Sequence, residues 1–200
     1  MTALTIAAPG HAAAIRAIYA PYIEHTAFTF DTEVPSADDI ARRIEKGLVK
    51  FPWLVCTVDE TVAGYVYASA HRAREAYQWT CECSVYLDPR FHGRGLAVQF
   101  YSVLFQLLKM QGLNTVYAGI TLPNEASVRL HEKCGFEHFA TYENVGFKLG
   151  SWQKVGWWRL QLNDYNPKPT PPVNFSDLDP QVVAALLRKG SEALAAKLSG

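Results

Sequence analysis

Neither sign of charge is in excess: 19 Lys and Arg balance 19 Asp and Glu, for a formal net charge of zero. A neutral chain lacks the broad electrostatic attraction behind most nucleic-acid and anionic-membrane binding, so neither partner is expected. Long hydrophobic runs are missing as well, and none approaches the ~20 residues of a membrane-spanning helix. Met1 to Pro9 is apolar but short, and no Lys or Arg precedes it, so a secretory signal is not expected. Cysteine is scarce. Cys56, Cys81, Cys83 and Cys134 are too sparse for a disulfide framework, and a reducing cytoplasm is the simplest home. Cys81 and Cys83 share one side of a strand, but no second ligand pair stands at zinc-like spacing, so no metal is expected.

Against these absences stands an ordinary globular composition, 49% hydrophobic, enough for one catalytic-sized core with an appendage. Thr5 and Ile6 begin a short strand, and Ile15, Ile18 and Tyr19 mark a helix from His11 to Ala20 that Pro21 should end or bend. Ser36 and Asp39 form an N-cap pair ahead of Ile40, Ile44 and Leu48, which repeat at helical spacing up to Phe51-Pro52. Trp53 to Val58 and Val62 to Ala70 read as a hairpin turning at Asp59-Glu60. Trp79 to Leu87 is a strand stopped by Asp88-Pro89. A helix with the stripe Leu96, Phe100, Val103, Leu104, Leu107 and Leu108 follows, ended by Gly112. Thr115 to Ile120 is a strand, Ala126 to Cys134 a short helix, and Phe136 begins a final strand pair that includes Val155 to Leu162.

This order predicts an α/β (α+β) architecture, a mixed central sheet flanked by helices, over residues 1–164. Residues 165–178 hold four prolines between Asn166 and Pro172 and read as an extended linker. Residues 179–200 read as a C-terminal amphipathic helix carried by Val182, Val183, Leu186, Leu187, Leu194 and Leu198.

The informative stretch is Val85-Tyr86-Leu87-Asp88-Pro89-Arg90-Phe91-His92-Gly93-Arg94-Gly95-Leu96-Ala97, where a strand leads through glycines into a helix. Such a loop turns several backbone N–H groups to one point, and the helix start adds the positive end of its dipole. Glycine lets the backbone approach a phosphate that a Cβ would hold off. A dinucleotide fingerprint is incomplete, because Val98 stands where its third glycine belongs.

The loop resembles the acetyl-CoA pyrophosphate motif of the GNAT superfamily, Gln/Arg-x-x-Gly-x-Gly/Ala. It fits in the frame His92-Gly93-Arg94-Gly95-Leu96-Ala97, with His in the first position, and in the frame Arg90-x-x-Gly93-x-Gly95. Asn124, Ser127, His131 and Gly135-Phe136 resemble the superfamily's downstream Asn…Ala…Tyr…Gly-Phe signature. Phe30, Pro52-Trp53-Leu54-Val55, Arg72 to Glu82, Gly146-Phe147-Lys148 and Val155-Gly156-Trp157-Trp158 are similar to the phosphinothricin acetyltransferase branch. The likeness runs from about residue 3 to residue 163. It implies a GNAT fold with a C-terminal extension, acetyl-CoA as cosubstrate, and a small α-amino acid acceptor.

By this resemblance, Val85, Tyr86, Leu87, His92, Gly93, Arg94, Gly95, Leu96, Ala97, Val98, Asn124, Ser127 and Lys133 bind acetyl-CoA, with Asn124 on the pantetheine arm. An amide at or beside Leu87 would hold the thioester carbonyl as charge develops on it. Glu82 would be the general base and His131, where many members carry a tyrosine, an acid or second proton carrier. The attacking amine must lose a proton, which a base titrating near neutrality suits. Glu82 sits mid-strand among apolar and Cys neighbours and reads as buried; its other reading is a structural carboxylate paired to Arg72 or Arg74. His131 alone on an amphipathic helix also reads as a satisfied surface or core histidine. Arg72 and Arg74 would clamp the acceptor's anionic groups, the alternative being a solvated charge pair. Phe30, Tyr77, Ser84 and Val155 would line the acceptor pocket. A homodimer is expected from family behaviour and from the otherwise unexplained terminal helix. Acetylation of a protein N-terminus or a polyamine, and a non-catalytic acyl-CoA sensor on the same fold, remain the alternatives.

Overall fold

Local signals set where the elements begin and stop. Ser36 and Asp39 close a capping box, each backbone N–H donating to the other's side chain at 3.1 Å, so the second helix starts where the sequence placed it. Asp59 and Glu60 take φ of 46° and 63°, the left-handed pair that a two-residue hairpin turn needs. Gly112 and Gly135 end their helices with φ of 85° and 89°.

The structure, a computed structural model, describes residues 1–199. Gly200, the last residue of the expected terminal helix, lies outside the described residues. The elements are β1 (Thr2–Ile6), α1 (Ala12–His25), α2 (Ala37–Lys50), β2 (Trp53–Val58), β3 (Thr61–Ala70), β4 (Thr80–Leu87), α3 (Leu96–Met110), β5 (Thr115–Leu122), α4 (Glu125–Lys133), β6 (Glu137–Lys148), β7 (Ser151–Gln161) and α5 (Pro180–Ser199). The seven strands form one mixed sheet in the order β1-β2-β3-β4-β5-β7-β6, antiparallel except where β4 meets β5.

Strand alternation divides the core in two. Leu54, Val66, Cys81 and Cys83 pack under α3 and α5 with Phe100, Leu104 and Leu194. Val55, Trp53 and Tyr65 pack on the other face beneath Ile15, Ile18, Ile40 and Ile44 of α1 and α2. On that face Trp53 stacks on Tyr67 with ring centroids 4.3 Å apart.

Of the two outcomes expected at Pro21, an end to the helix does not occur. The first helix runs through Pro21 to His25 rather than stopping. Pro21 is exposed, and so is Ala17, whose carbonyl loses the proline's N–H but reaches water. Burial of Ile23 at 2% exposure and the Thr26 hydroxyl donating to Tyr22 O at 2.6 Å hold the last turn.

Residues 165–178 form no helix or strand apart from a short turn at Phe175–Asp177, but they are tied to the body of the protein. Trp79 Nε1 donates to Thr170 O at 2.8 Å; Val173 N donates to Gln111 O, and Gln111 Nε2 to Val173 O, each at 2.9 Å. α5 then lies across β1 and α3. A Cβ on Gly190 would stand 2.7 Å from Val103 and 2.9 Å from Leu4, so glycine permits the close crossing. Ser191 Oγ accepts from Leu4 N at 2.8 Å, which ties α5 to the edge strand. The terminal helix thus fills the chain's own core.

Leu194 has no exposed surface, so Leu194→Ala should lower unfolding stability by about 2–5 kcal/mol, read as an unchanged urea m-value with a lower midpoint. A loss under about 0.5 kcal/mol, the range of surface substitutions, would mean that α5 is not part of the folded core.

Candidate active site

Strands β4 and β5 pair only at Thr80↔Thr115, Cys81↔Val116 and Glu82↔Tyr117. Past that point β4 stays with β3 and β5 stays with β7, so the two parallel strands part. A cleft of about 460 Å³ occupies the gap, a volume in the range of small-molecule sites. Cys83 and Tyr101 reach it from the α3 side, and Ser84, Tyr86 and Tyr22 from the α1 side.

At the far end of the gap, Leu87 O accepts the Tyr22 hydroxyl at 2.9 Å and lies 3.2 Å from His92 Nε2, which pins the loop to the strand end. Asp88 N donates to Ala63 O at 3.0 Å, and Asp88 Oδ1 accepts from Arg90 N at 2.9 Å, shaping the turn Pro89–Phe91. Gly93 and Gly95 then take φ of 74° and 76°, which side chains rarely adopt. A Cβ on Gly93 would meet nothing within 4 Å, so the loop faces open space at the start of α3. Those first helical N–H groups have no partner within the helix and suit a diphosphate. Arg94, Lys133 and Lys197 surround the same glycines. The residues present therefore fit the phosphates of acetyl-CoA.

Every residue assigned to acetyl-CoA from the sequence borders this cleft except Arg94 and Lys133, which stand on the adjoining surface with Lys197. Asn124 Oδ1 caps α4 by accepting from Ser127 N at 3.2 Å, leaving its amide nitrogen as the side chain's donor. His131 and Ser84 also line the cleft, whereas Glu82, Phe30, Arg72, Arg74, Tyr77 and Val155 lie outside its walls.

Glu82 stands at the base of the fork, on the last residue pair before the strands part. The expectation that it is buried fails: Cys81 and Cys83 point into the α3 side, and alternation turns Glu82 to the opposite face with 29% of its side chain exposed. Its close partner is not an arginine. His71 Nδ1 lies 2.8 Å from Glu82 Oε1, while Arg72 Nη1 is 3.9 Å from the same oxygen. The His71 ring stacks on Tyr117 with centroids 4.6 Å apart and meets Tyr77 and Trp157 edge-on at 6.0 Å. Arg72 and Arg74 are exposed in the segment after β3, so the fold gives Arg72 a place beside Glu82 and leaves Arg74 in solvent. Phe30 packs on the backbone of Gly146, where a Cβ would stand 2.4 Å from its ring, and Lys148 Nζ donates to Thr29 O at 2.7 Å. The segment after α1 is thereby fastened to the β6–β7 hairpin, whose Val155 pairs with Tyr142 and Thr121.

His131 is 4% exposed, and both ring nitrogens are engaged. Its Nδ1 must carry hydrogen, because it lies 2.8 Å from the acceptor-only Ser127 O; Nε2 therefore accepts from the Tyr101 hydroxyl at 2.9 Å. Burial raises Tyr101 well above the ordinary phenol range, which keeps that proton on oxygen. Burial also lowers the His131 pKa below its ordinary value. Sequence reasoning missed His71, Tyr101, Tyr22 and Lys197 because none belongs to a motif, and only the fold brings them to the cleft, to the glycine loop or to Glu82.

A histidine buried neutral takes up its proton more readily when unfolded. Stability should therefore fall as pH drops below about 6.5, the unfolded value, and continue falling toward the lower folded pKa. The urea midpoint measured from pH 7.5 down to 5.5 should show this slope, and His131→Asn should flatten it; an equal slope in both proteins would remove His131 as its source.

The sequence matches the family described as "Acetyltransferase (GNAT) domain" over residues 4–157. It is 38% identical over 162 residues to a phosphinothricin N-acetyltransferase of Streptomyces viridochromogenes, covering 80% of this chain and 88% of that relative. An L-methionine sulfoximine/L-methionine sulfone acetyltransferase of Salmonella typhimurium is 32% identical over 154 residues, covering 76% of this chain and 90% of the relative. In structure, the chain superimposes with a TM-score of 0.80 on a GNAT superfamily phosphinothricin acetyltransferase from Sinorhizobium meliloti in complex with acetyl-CoA, at 29% identity over 84% of this chain and 93% of that one. The split sheet, the glycine loop and these likenesses lead to one assignment: the chain belongs to the GNAT acetyltransferase family.

Proposed function

We propose that this acetyl-CoA-dependent N-acetyltransferase acts on the α-amino group of a small amino-acid-like acceptor of the phosphinothricin, methionine sulfone or methionine sulfoximine type. The observation that carries the reading is the gap between β4 and β5, which opens to both faces of the sheet with Glu82 at its base.

Acetyl-CoA, when bound, supplies an acyl group already activated as a thioester, so transfer needs an amine and not a covalent enzyme intermediate. In this reading Gly93, Gly95 and the first turn of α3 (Leu96, Ala97, Val98) hold the diphosphate through backbone N–H groups, with Arg94, Lys133 and Lys197 adding charge around it. Val85, Tyr86 and Leu87 offer a strand edge left without a β5 partner, and Asn124, Ser127 and His92 close the cleft walls. The one cysteine among the described residues that lines the cleft supports direct transfer: burial pushes the Cys83 thiol up to about 12, so it holds its proton and is a poor nucleophile.

Glu82 takes the ammonium proton, directly or through water, from its partly exposed position at the fork. Arg72, beside it, and Arg74 meet the acceptor's anionic groups, and Phe30, Tyr77, Ser84 and Val155 enclose its body. His131 stays neutral and fixes Tyr101 at the cleft wall, a shaping role rather than that of a mobile proton carrier. Two copies pairing through the β6–β7 edge belong to the same reading, because Phe139, Tyr142, Val145, Phe147 and Trp152 expose apolar surface there. The terminal helix no longer argues for that dimer. A reducing, cytoplasmic setting suits four cysteines that are all free.

The test is thiol release from acetyl-CoA with a panel of phosphinothricin, methionine sulfone, methionine sulfoximine, ordinary amino acids, spermidine and a short peptide. Turnover concentrated on the first three is the expected result. Turnover only with spermidine or the peptide would overturn the acceptor class, and tight acetyl-CoA binding without turnover on any acceptor would make the protein a sensor.

A further inference from the structure

The structure assigns His71 as the positioning residue for the base, a role that rests on the reading of Glu82 given above. β3 ends at Ala70, paired with Cys81, and Ser69 pairs with Glu82, so the chain delivers His71 next to that carboxylate as it leaves the sheet. The 2.8 Å contact joins Nδ1 to Oε1, and an ionised carboxylate only accepts, so Nδ1–H is the donor when Glu82 is charged.

The ring cannot easily turn away. Tyr117, on the strand that pairs with Glu82, stacks on it at 4.6 Å, and the edges of Tyr77 and Trp157 approach from two other segments. Arg72 Nη1 donates to the His71 carbonyl at 3.1 Å, which steadies the backbone as well. The His71 side chain is only 15% exposed, whereas Glu82 is 29% exposed. A partly exposed carboxylate would otherwise sample several rotamers, and each unproductive rotamer subtracts from turnover. With His71 and the more distant Arg72 both on Oε1, the second oxygen, Oε2, makes no hydrogen bond among the described residues and is the one left for the ammonium proton.

His71 thus acts through Glu82 and does not touch the reacting atoms. Its donor, not its bulk, is what turnover requires.

Thiol release measured with acetyl-CoA and whichever acceptor of the panel is fastest separates these functions. His71→Leu should lower kcat by about ten- to a hundredfold with acetyl-CoA KM unchanged. His71→Asn, whose amide nitrogen stands near the place of Nδ1, should recover to within about threefold of the wild-type kcat. In a Glu82→Gln background, His71→Leu should add no further loss, since the group it positions is gone. If Glu82→Gln is slow but His71→Leu is as fast as wild type, the positioning role is wrong and the base stands. If His71→Asn is as slow as His71→Leu, the hydrogen bond is not what counts and the proposal fails. If Glu82→Gln turns over normally, the base assignment falls and takes this one with it. Should His71→Leu lose acetyl-CoA binding through misfolding, His71→Phe, which keeps the stack on Tyr117 without a donor, takes its place in the same comparison.

Discussion

Everything in this site follows from three residue pairs. The parallel ladder between β4 and β5 holds at Thr80, Cys81 and Glu82 and then stops, so one mixed sheet splits while each half stays paired on its outer side. A strand edge with free N–H and C=O groups is a liability at the surface of a protein and an asset inside a cleft, where a ligand with amides can complete it. The split also sets the direction of approach. The glycine loop and α3 lie at the open end, the last residue pair at the closed end, and Glu82, the proposed base, belongs to that last pair. A one-residue slip of β4 against its neighbours would turn Glu82 into the α3 core and Cys83 to the opposite face.

Much of this was legible because the relevant signals are local. The Ser36–Asp39 box, the Asp59-Glu60 turn and the glycines at 93, 95, 112 and 135 each act within a few residues, and the structure realises all of them. The glycine loop was also where the acetyl-CoA site could be read, since its chemistry is backbone chemistry and needs little from side chains elsewhere. Pro21 did not stop the helix: it lies on a solvent-facing turn, and the helix continues past it to bury Ile23, which helps to offset the proline's cost.

What stayed hidden depends on register between distant segments. Nothing in the sequence fixes which residue of β3 lies opposite Glu82, because the segment from His71 to Trp79 that joins the strands is long enough to permit several registers. His71 therefore reads as an unremarked loop histidine until the strands are paired. Lys197 is more distant still. It comes from a helix beyond the family-matched segment, whose route over β1 and α3 brings a cation to Gly95. The proline-rich stretch reads as a spacer by composition, and it is the bonds to Tyr165, Thr170 and Val173 that reveal it is fastened along its length.

The central claim about the molecule is that the gap between β4 and β5 seats acetyl-CoA. Amide hydrogen exchange, followed with and without acetyl-CoA at saturating concentration, reads that seat directly. Protection should appear in two segments together, Cys83 to Leu87 along the unpaired strand edge and Phe91 to Val98 in the loop and first turn of α3. Protection confined to other elements, with both of these segments unchanged, would contradict it.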